Sequence, residues 1–338
     1  MKAYILDRYG KTQALRLGEV PAPVPGPNDV LVRIEAAGLN LLDAKIRDGA
    51  FKPILPYKPP LVLGHDLAGK VVAVGAKVSR FKEGDAVYAR PRDGQIGAFA
   101  EMIAVNEADL ALVPANLSMT EAASLPLVAL TAWQALVEHG QVQRGHKVLI
   151  HAGSGGVGTI AIQLAKHLGA TVATTTSAAN AEMVRKLGAD IVIDYRSQRF
   201  EDEISGYDLV LNSQDADTLE RSLKVLKPGG KLISISGPPD PAFARAQGLN
   251  IALKLLLRLM SAGIRRKANR RGIDYSFLFM RADGAQLGRI AELVKAGAIR
   301  PVVDRIYPFD QLNDAFAYIE TGRAKGKVVT ATVPLDGR

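Results

Sequence analysis

The sequence predicts an α/β protein with two domains, one β-rich and one built on a doubly wound parallel sheet. Its 338 residues exceed the usual size of a single hydrophobic core. Short apolar runs interrupted by Pro and Gly fill residues 1–124, a pattern typical of β-structure. From Leu125 onward strand and helix patterns alternate, as a parallel sheet requires.

The elements follow in order along the chain. The β-rich part contains strand patterns at 30–38, 67–75 and 84–89. The middle part predicts helices over 130–139, 157–168, 179–187 and 216–226, and strands over 147–151, 171–176, 190–194, 207–211 and 230–235. The segment 275–280 is a candidate closing strand, and residues 282–338 add a helix over 284–297 and further short strands.

A glycine-rich turn joins the predicted strand 147–151 to the helix that follows it. Gly153, Gly155 and Gly158 have the spacing GxGxxG. The first glycine permits the tight turn, the second lets a pyrophosphate approach the backbone, and the third lets helix and strand pack closely. The turn therefore predicts dinucleotide binding at the loop Gly153, Ser154, Gly155, Gly156, Val157 and Gly158, although a plain tight connection is the alternative.

The end of the next strand indicates which nucleotide is bound. NAD sites usually have an acidic residue there, about 20 residues after the glycines, but this chain has threonines followed by Ser177. Ser177, Arg185 and either Tyr195 or Arg196 could donate hydrogen bonds to a 2′-phosphate, so NADPH is favoured. The alternative is that Ser177 only caps a helix and Arg185 is a solvated charge.

Positive charge is concentrated in one segment. The net charge is +9, and residues 241–273 contain eight basic residues and no acidic one. The apolar run 249–260 inside this segment is too short and too charged to span a bilayer, and predicts a helix that packs its apolar side inward. The remaining interpretations are a solvated basic face, attraction of anionic ligands, a membrane-surface contact and nucleic-acid binding.

The absence of cysteine excludes disulfides, a thiolate zinc site and a cysteine nucleophile. The first ten residues lack the hydrophobic region of a signal peptide, so cytoplasmic localisation is predicted.

Several motifs together resemble the zinc-independent medium-chain dehydrogenases/reductases, close to the quinone oxidoreductases and the alkenal or enone reductases. They are the segments 36–49, 64–89, 97–105, 226–237 and 322–329, together with the glycine loop. The resemblance implies a GroES-like catalytic domain (1–124 and 282–338), a Rossmann domain (125–281) and a homodimer.

The resemblance also implies that no metal is bound. Zinc-dependent relatives have a cysteine where this chain has Asn40, and of their ligands only His65 is present. A catalytic zinc needs three protein ligands. His65 is therefore predicted to be a buried, hydrogen-bonded histidine.

Without a metal, the chemistry implied is hydride transfer from NADPH to a small electrophilic substrate, an enone, alkenal or quinone. Asn40 is a candidate donor to the substrate oxygen or to a cofactor hydroxyl, and Asp43 could orient a neighbour. Lys45 could stabilise an enolate, and Tyr57 is an alternative proton donor. The alternatives are that Asp43 caps a short helix, that Lys45 is a solvent charge and that Tyr57 only packs.

The resemblance places further cofactor contacts along the chain. They are Asn212, Ser236, Gly237, Phe277, Leu278 and Lys327. Phe277 and Phe279 could equally be core residues. Two other functions stay open, one-electron quinone reduction and a cofactor-binding regulatory or RNA-binding role of the zeta-crystallin type, although nucleic acid is the less favoured partner.

Overall fold

The computed structural model describes residues 1–11, 13–55 and 57–332. The chain forms two compact units, Met1–Leu130 with the segment that starts at Arg281, and Thr131–Met280. The division falls at residues 130/131, later than the predicted 124/125 position. The helix Pro126–Trp133 spans this division, and its Leu127 N–H donates to the Asp66 carboxylate of the first unit at 2.7 Å.

The first unit is β-rich. Its strands are β1 (Lys2–Leu6), β2 (Arg16–Glu19), β3 (Asp29–Gly38), β4 (Leu61–Val62), β5 (Asp66–Val74), β6 (Ala86–Ala89), β7 (Met102–Asn106), β8 (Leu110–Leu112), β15 (Val303–Pro308) and β16 (Lys327–Ala331). One sheet has the order β15–β16–β3–β5–β6–β8, with β7 also paired to β3, and the other has the order β2–β1–β4. Alternate residues Val30, Val32 and Ile34 of β3 are buried, as the period of a strand requires.

Short helices complete the first unit. They are α1 (Leu41–Arg47), α2 (Met119–Ala123), α3 (Pro126–Trp133, which crosses into the second unit), α11 (Gly284–Lys295) and α12 (Leu312–Glu320). A capping box between Ser118 and Glu121 fixes the start of α2, since each side chain bonds the other's backbone N–H.

The second unit is a parallel α/β structure. Its strands are β9 (Lys147–Ile150), β10 (Thr171–Thr176), β11 (Ile191–Asp194), β12 (Tyr207–Asn212), β13 (Leu226–Ser234) and β14 (Asp274–Phe277). Its helices are α4 (Gly156–His167), α5 (Ala181–Lys186), α6 (Phe200–Glu203), α7 (Ala216–Ser222), α8 (Pro241–Ala246), α9 (Ile251–Met260) and α10 (Ala262–Arg270). All neighbouring strands are parallel, in the order β11–β10–β9–β12–β13–β14. The two-domain α/β fold class is confirmed.

Some predicted boundaries are wrong. The helix predicted over 216–226 ends at Ser222, and β13 begins at Leu226 rather than at residue 230. The closing strand covers Asp274–Phe277 rather than 275–280. The helix predicted over 130–139 is α3 followed by a π-helical turn over Gln134–His139.

The predicted burial of the apolar side of α9 is also wrong. Only Leu257 of this helix is buried, whereas Ile251, Leu255, Leu256, Leu259 and Met260 are all exposed. The periodic pattern defined an apolar face, but nothing in the described chain covers it. No described helix has both the length and the apolar character needed to cross a bilayer.

Candidate functional site

Apart from Lys327, which lies on β16 in the first unit, the residues predicted to hold a dinucleotide lie at the carboxyl ends of the parallel strands in the second unit. The glycine loop follows β9, Ser177 follows β10, Tyr195 follows β11, Asn212 ends β12, Ser236 and Gly237 follow β13, and Phe277 and Leu278 end or follow β14. The strand order reverses between β9 and β12. Ligands of open parallel sheets bind outside the carboxyl ends of the strands at such a reversal.

Close packing explains two of the three glycines in the loop. A Cβ atom on Gly153 would lie 2.1 Å from Thr174 Oγ1, and one on Gly158 would lie 2.3 Å from the carbonyl oxygen of Ala152. Ala152 itself has a positive φ of 53°, which L-residues rarely adopt. The sequence therefore needs glycine here to bring helix α4 against the end of β9.

The amino terminus of α4 is open to a ligand. Gly155 is its N-cap, so no side chain caps the helix, and no acidic residue lies in its first turn. The first N–H groups of a helix have no partner within it, and the helix dipole favours an anion there. A Cβ on Gly155 would approach only the Ala152 carbonyl oxygen, at 3.3 Å. The loop thus fits a pyrophosphate close to the backbone.

Buried polar residues beneath the loop were missed from the sequence. Thr174 Oγ1 donates to the Ile150 carbonyl at 2.6 Å, and Thr175 Oγ1 accepts from the Ala152 N–H at 3.2 Å. The His151 ring lies 3.1 Å from Thr175 Oγ1 and 2.9 Å from Ser222 Oγ. Burial lowers the pKa of His151 to about 3, so its ring is neutral and supports the loop by hydrogen bonds.

Ser177 and Tyr195 lie side by side. Thr176 pairs with Asp194 across β10 and β11, and the Tyr195 N–H donates to the Thr176 carbonyl at 3.2 Å. Ser177 is the N-cap residue of the short 3₁₀ turn Ala178–Asn180, as the alternative expects, but its side chain makes no capping hydrogen bond. The Arg196 guanidinium lies 5.8 Å from the Tyr195 ring centroid, which places a cation at this strand end.

The other residues predicted to contact the cofactor already make hydrogen bonds or ring contacts within the second unit. Asn212 is buried and its amide donates to Ser234 Oγ at 3.3 Å, and Ser236 Oγ donates to the Gln214 carbonyl at 2.5 Å. The Gly237 N–H donates to Ser234 Oγ at 2.8 Å, and the Leu278 N–H to the Ser234 carbonyl at 2.8 Å. Phe277 packs edge-to-face on Phe243, with ring centroids 5.2 Å apart.

A buried polar cluster lies in the first unit. It consists of Asn40, Asp43, His65, Asp66 and Lys327, and each of these residues is at least nine-tenths buried. Asn40 and Asp43 were predicted together, whereas Lys327 was predicted as a cofactor contact and Asp66 was not singled out. The structure brings all five side chains into one connected set of hydrogen bonds.

Asp43 has two roles in this cluster. One carboxylate oxygen accepts the Asn40 N–H at 3.1 Å, which completes a capping box at the start of α1. The other lies 2.6 Å from His65 Nδ1. His65 is therefore buried and hydrogen-bonded, as predicted, while its Nε2 atom has no partner in the described residues. Asp43 both caps the helix and orients its neighbour.

Lys327, on strand β16, places its ammonium against Asn40 and Asp66 of the cluster. Its ammonium donates to the Leu39 carbonyl at 2.8 Å, to Asn40 Oδ1 at 2.5 Å and to Asp66 Oδ2 at 2.9 Å. The Asn40 amide also donates to Asp66 Oδ2 at 2.9 Å. All three donors of the ammonium are thus satisfied within the first unit.

The polar cluster does not fit zinc. The ammonium of Lys327 already places one positive charge against Asn40 and Asp66. In the part of the chain that the structure describes, no three His, Cys, Asp or Glu side chains are grouped to hold a metal ion. A catalytic zinc would need three such ligands and would be repelled by the ammonium.

Tyr57 and Lys45 have different environments. The Tyr57 hydroxyl accepts the Gly94 N–H at 3.2 Å, and burial raises its pKa to about 12, with the charges of Asp93 and Asp43 acting in the same direction. Lys45, on α1, is exposed and is not part of the polar cluster.

Comparison with known proteins identifies the family. Residues 26–115 match the family model described as alcohol dehydrogenase GroES-like domain, and residues 187–330 match the model described as zinc-binding dehydrogenase. The chain belongs to the medium-chain dehydrogenases/reductases, so it is an oxidoreductase of that family. The resemblance inferred from the sequence motifs is confirmed.

Individual relatives place the chain among particular members. It is 38% identical to the 2-methylene-furan-3-one reductase of Solanum lycopersicum, with 99% of this chain and 80% of that protein covered. It is 36% identical, with the same coverage, to the NADPH-dependent alkenal/one oxidoreductase, chloroplastic, of Arabidopsis thaliana. The solved quinone oxidoreductase from Coxiella burnetii superposes with a TM-score of 0.86 at 30% identity, covering 98% of this chain and 99% of that one.

Proposed function

We propose that this protein is an NADPH-dependent reductase that transfers a hydride to an activated carbon–carbon double bond or a quinone, without a metal. The observation that carries the proposal is the uncapped amino terminus of α4, with no carboxylate at the end of β10. An alkenal/one oxidoreductase and a quinone oxidoreductase among its relatives support this substrate class.

The second unit is proposed to bind the cofactor. The loop Gly153–Gly158 would bind the pyrophosphate, while Ser177 and Tyr195 would contact the 2′-phosphate. When bound, NADPH supplies the hydride and the protein determines its orientation. Asn212, Ser236, Gly237, Phe277 and Leu278 lie at the same sheet edge and are proposed to position the remainder of the cofactor.

The first unit is proposed to polarise the substrate. Negative charge develops on the carbonyl oxygen as the hydride arrives at an enone, and preorganised donors stabilise that charge. The Tyr57 hydroxyl accepts one hydrogen bond and has no acceptor for its own proton in the described residues. The polar cluster of Asn40, Asp43 and Lys327 would keep the first unit rigid around α1. The ammonium of Lys45 is exposed and hydrated, so it would stabilise the charge on the substrate oxygen more weakly than Tyr57 does.

Absorbance of NADPH during incubation with acrolein, 2-hexenal, methyl vinyl ketone and 1,4-benzoquinone tests the proposal. We expect turnover and, from the enones, a saturated carbonyl product. NADH and a simple alcohol with NADP are the controls. Semiquinone radical during quinone turnover would indicate one-electron reduction instead. Tight NADPH binding with no turnover of any substrate would contradict the reductase assignment and favour a regulatory role.

Replacing Ser177 by aspartate is expected to reverse the cofactor preference. The carboxylate would repel the 2′-phosphate and accept the ribose hydroxyls, so NADPH should bind about 100-fold more weakly while NADH binds no worse. Dissociation constants from nucleotide fluorescence measure both effects. Thr171→Asp, on the exposed opposite end of β10 about 20 Å away, is the control and should change neither constant. Equal losses in both variants would place the 2′-phosphate elsewhere.

Tyr57→Phe is expected to lower kcat for enones about 100-fold, as loss of one oxyanion donor typically does. NADPH affinity should not change. Because its pKa is about 12, Tyr57 stays protonated, so wild-type kcat should show no loss from this group between about pH 6 and 9.

Lys45→Met should lower kcat less than about tenfold, since an exposed ammonium is strongly hydrated. If Lys45→Met lowered kcat more than Tyr57→Phe does, Lys45 would be the main group that stabilises the substrate oxygen, and Tyr57 would not.

Two further assignments are proposals, and only the first of them, the homodimer, rests on the family resemblance. A homodimer and cytoplasmic localisation were predicted, and the Arabidopsis thaliana relative named above is a chloroplast protein. Sedimentation of the purified protein would test the first, and fractionation of its cells would test the second.

A further inference from the structure

Helix α9 turns an apolar ridge away from the second unit. Ile251, Leu255 and Leu259 are spaced four residues apart, so they lie one above the other on a single helix face, with Leu256 beside them. Their exposed fractions are 84%, 56%, 65% and 51%. The buried Leu257 is on the opposite side and anchors the helix. A water-exposed ridge of this kind marks an interaction surface.

Basic residues lie beside this ridge, and four of them line one surface depression with Leu259. Lys254 and Arg258 lie on α9, and Arg265, Arg266 and Arg270 lie on α10. None of these five side chains has an ion-pair partner within the described chain, whereas Lys267 pairs with Glu220. No acidic residue occurs between positions 241 and 273. The apolar ridge and these five cations are called the α9–α10 surface below.

We propose that the α9–α10 surface binds an anionic lipid bilayer, with the apolar ridge inserted between headgroups and the cations facing lipid phosphates. A helix that combines a strongly apolar face with basic flanks lies in the plane of the membrane interface. The long Lys and Arg side chains can extend to the headgroups while their aliphatic parts stay near the acyl chains. The protein would thus be held at the membrane surface without spanning it.

Charge and composition favour lipid over two other occupants. A symmetric contact with a second copy would place the same patch on both sides and bring like charges together. Nucleic acid would bind the cations but leave the aliphatic ridge exposed. Neither α9 nor α10 carries an aromatic residue on which a base could stack.

Co-sedimentation of the full chain with vesicles tests the proposal. The vesicles contain phosphatidylcholine alone or phosphatidylcholine with phosphatidylglycerol. We expect binding only to the anionic vesicles, and weaker binding as salt is raised because the Debye length shortens. The variants Leu255→Asn/Leu259→Asn and Arg258→Gln/Arg266→Gln/Arg270→Gln should each weaken binding about tenfold or more.

Matched variants outside this surface separate a local effect from general changes. Leu17→Asn/Leu112→Asn removes two leucines that are 45% and 54% exposed in the first unit. Lys77→Gln/Lys82→Gln/Lys224→Gln removes the same net charge from exposed positions elsewhere. Both should bind anionic vesicles as the wild type does. Circular dichroism and melting temperature confirm that every variant is folded.

Two results would overturn the proposal. The first is no binding to anionic vesicles at about 0.15 M salt. The second is binding that the leucine pair does not affect, since that would be a purely electrostatic contact. In the first case, RNA binding would assign the surface to nucleic acid, and loss of a dimer in the leucine variant would assign it to a second copy.

Discussion

Gly158→Ala is expected to lower the free energy of unfolding by about 2 kcal/mol, although alanine is the better helix former. The added methyl would lie 2.3 Å from the Ala152 carbonyl oxygen and 2.7 Å from Gly153 Cα. Both are backbone atoms of the turn, so neither can rotate away. Overpacking of this kind costs about 1–3 kcal/mol and outweighs the roughly 1 kcal/mol that alanine contributes to a helix. Urea denaturation measures the change.

Gly155→Ala is to be compared with Gly158→Ala, because it adds the same methyl group to the same loop where there is room for it. Its methyl would meet only one atom at 3.3 Å and its φ of −82° suits any residue, so stability should fall by less than about 1 kcal/mol. If a pyrophosphate approaches this backbone, the same methyl should weaken NADPH binding at least about tenfold. The pair thus separates a packing glycine from a ligand-approach glycine.

Gly288→Ala provides the control for both. Gly288 lies inside α11 and a Cβ there would meet nothing within 4 Å. Alanine should therefore stabilise the protein by about 0.5–1 kcal/mol and leave NADPH binding unchanged. If Gly155→Ala bound NADPH as tightly as the wild type, the cofactor would not contact this loop as proposed.

The glycine loop was predictable because its signal is local. Strand β9 has Val148, Leu149 and Ile150 in succession, and all three are completely buried, as expected of a strand inside a parallel sheet. The glycines that follow satisfy steric requirements within the same short segment. Strand β10 was predicted at its observed bounds, Thr171–Thr176, for the same reason.

Other elements could not be located from local patterns. Leu219, Leu223 and Leu226 have helical spacing and all three are buried, so the pattern predicts one helix. In the structure the helix ends at Ser222, and Leu226 instead begins β13 and pairs with Tyr207. The same limit explains α9, because amphipathic spacing identifies an apolar face without showing whether another element covers it.

The polar cluster of the first unit depends on contacts between distant residues. His65 and Asp43 are 22 positions apart, and Lys327 and Asp66 are 261 positions apart. In neither pair do the neighbouring residues in the sequence indicate which distant residue is the partner. The motif around Asn40 and Asp43 could be recognised in the sequence. That Lys327 of β16 contacts these residues could be seen only in the folded structure.

Lys327→Met is expected to destabilise the first unit by about 3–5 kcal/mol, the largest effect of any single substitution considered. The change removes three hydrogen bonds and leaves the carboxylate of Asp66, which is completely buried, without its cation. Breaking one side of a buried ion pair costs this much because the remaining charge cannot regain water. The midpoint and slope of urea denaturation measure the change.

Two comparisons make this prediction specific. Lys166→Met removes the cation of the Lys166–Asp190 pair, whose side chains are 37% and 39% exposed, and should cost less than about 1 kcal/mol because solvent screens it. Adding Asp66→Asn to Lys327→Met should restore part of the stability, since the orphaned negative charge is removed and the amide oxygen at position 66 can still accept the Leu127 N–H. If both lysine variants lost the same free energy of unfolding, water would have to reach the Asp66 carboxylate. The Lys327–Asp66 pair would then not be a buried ion pair.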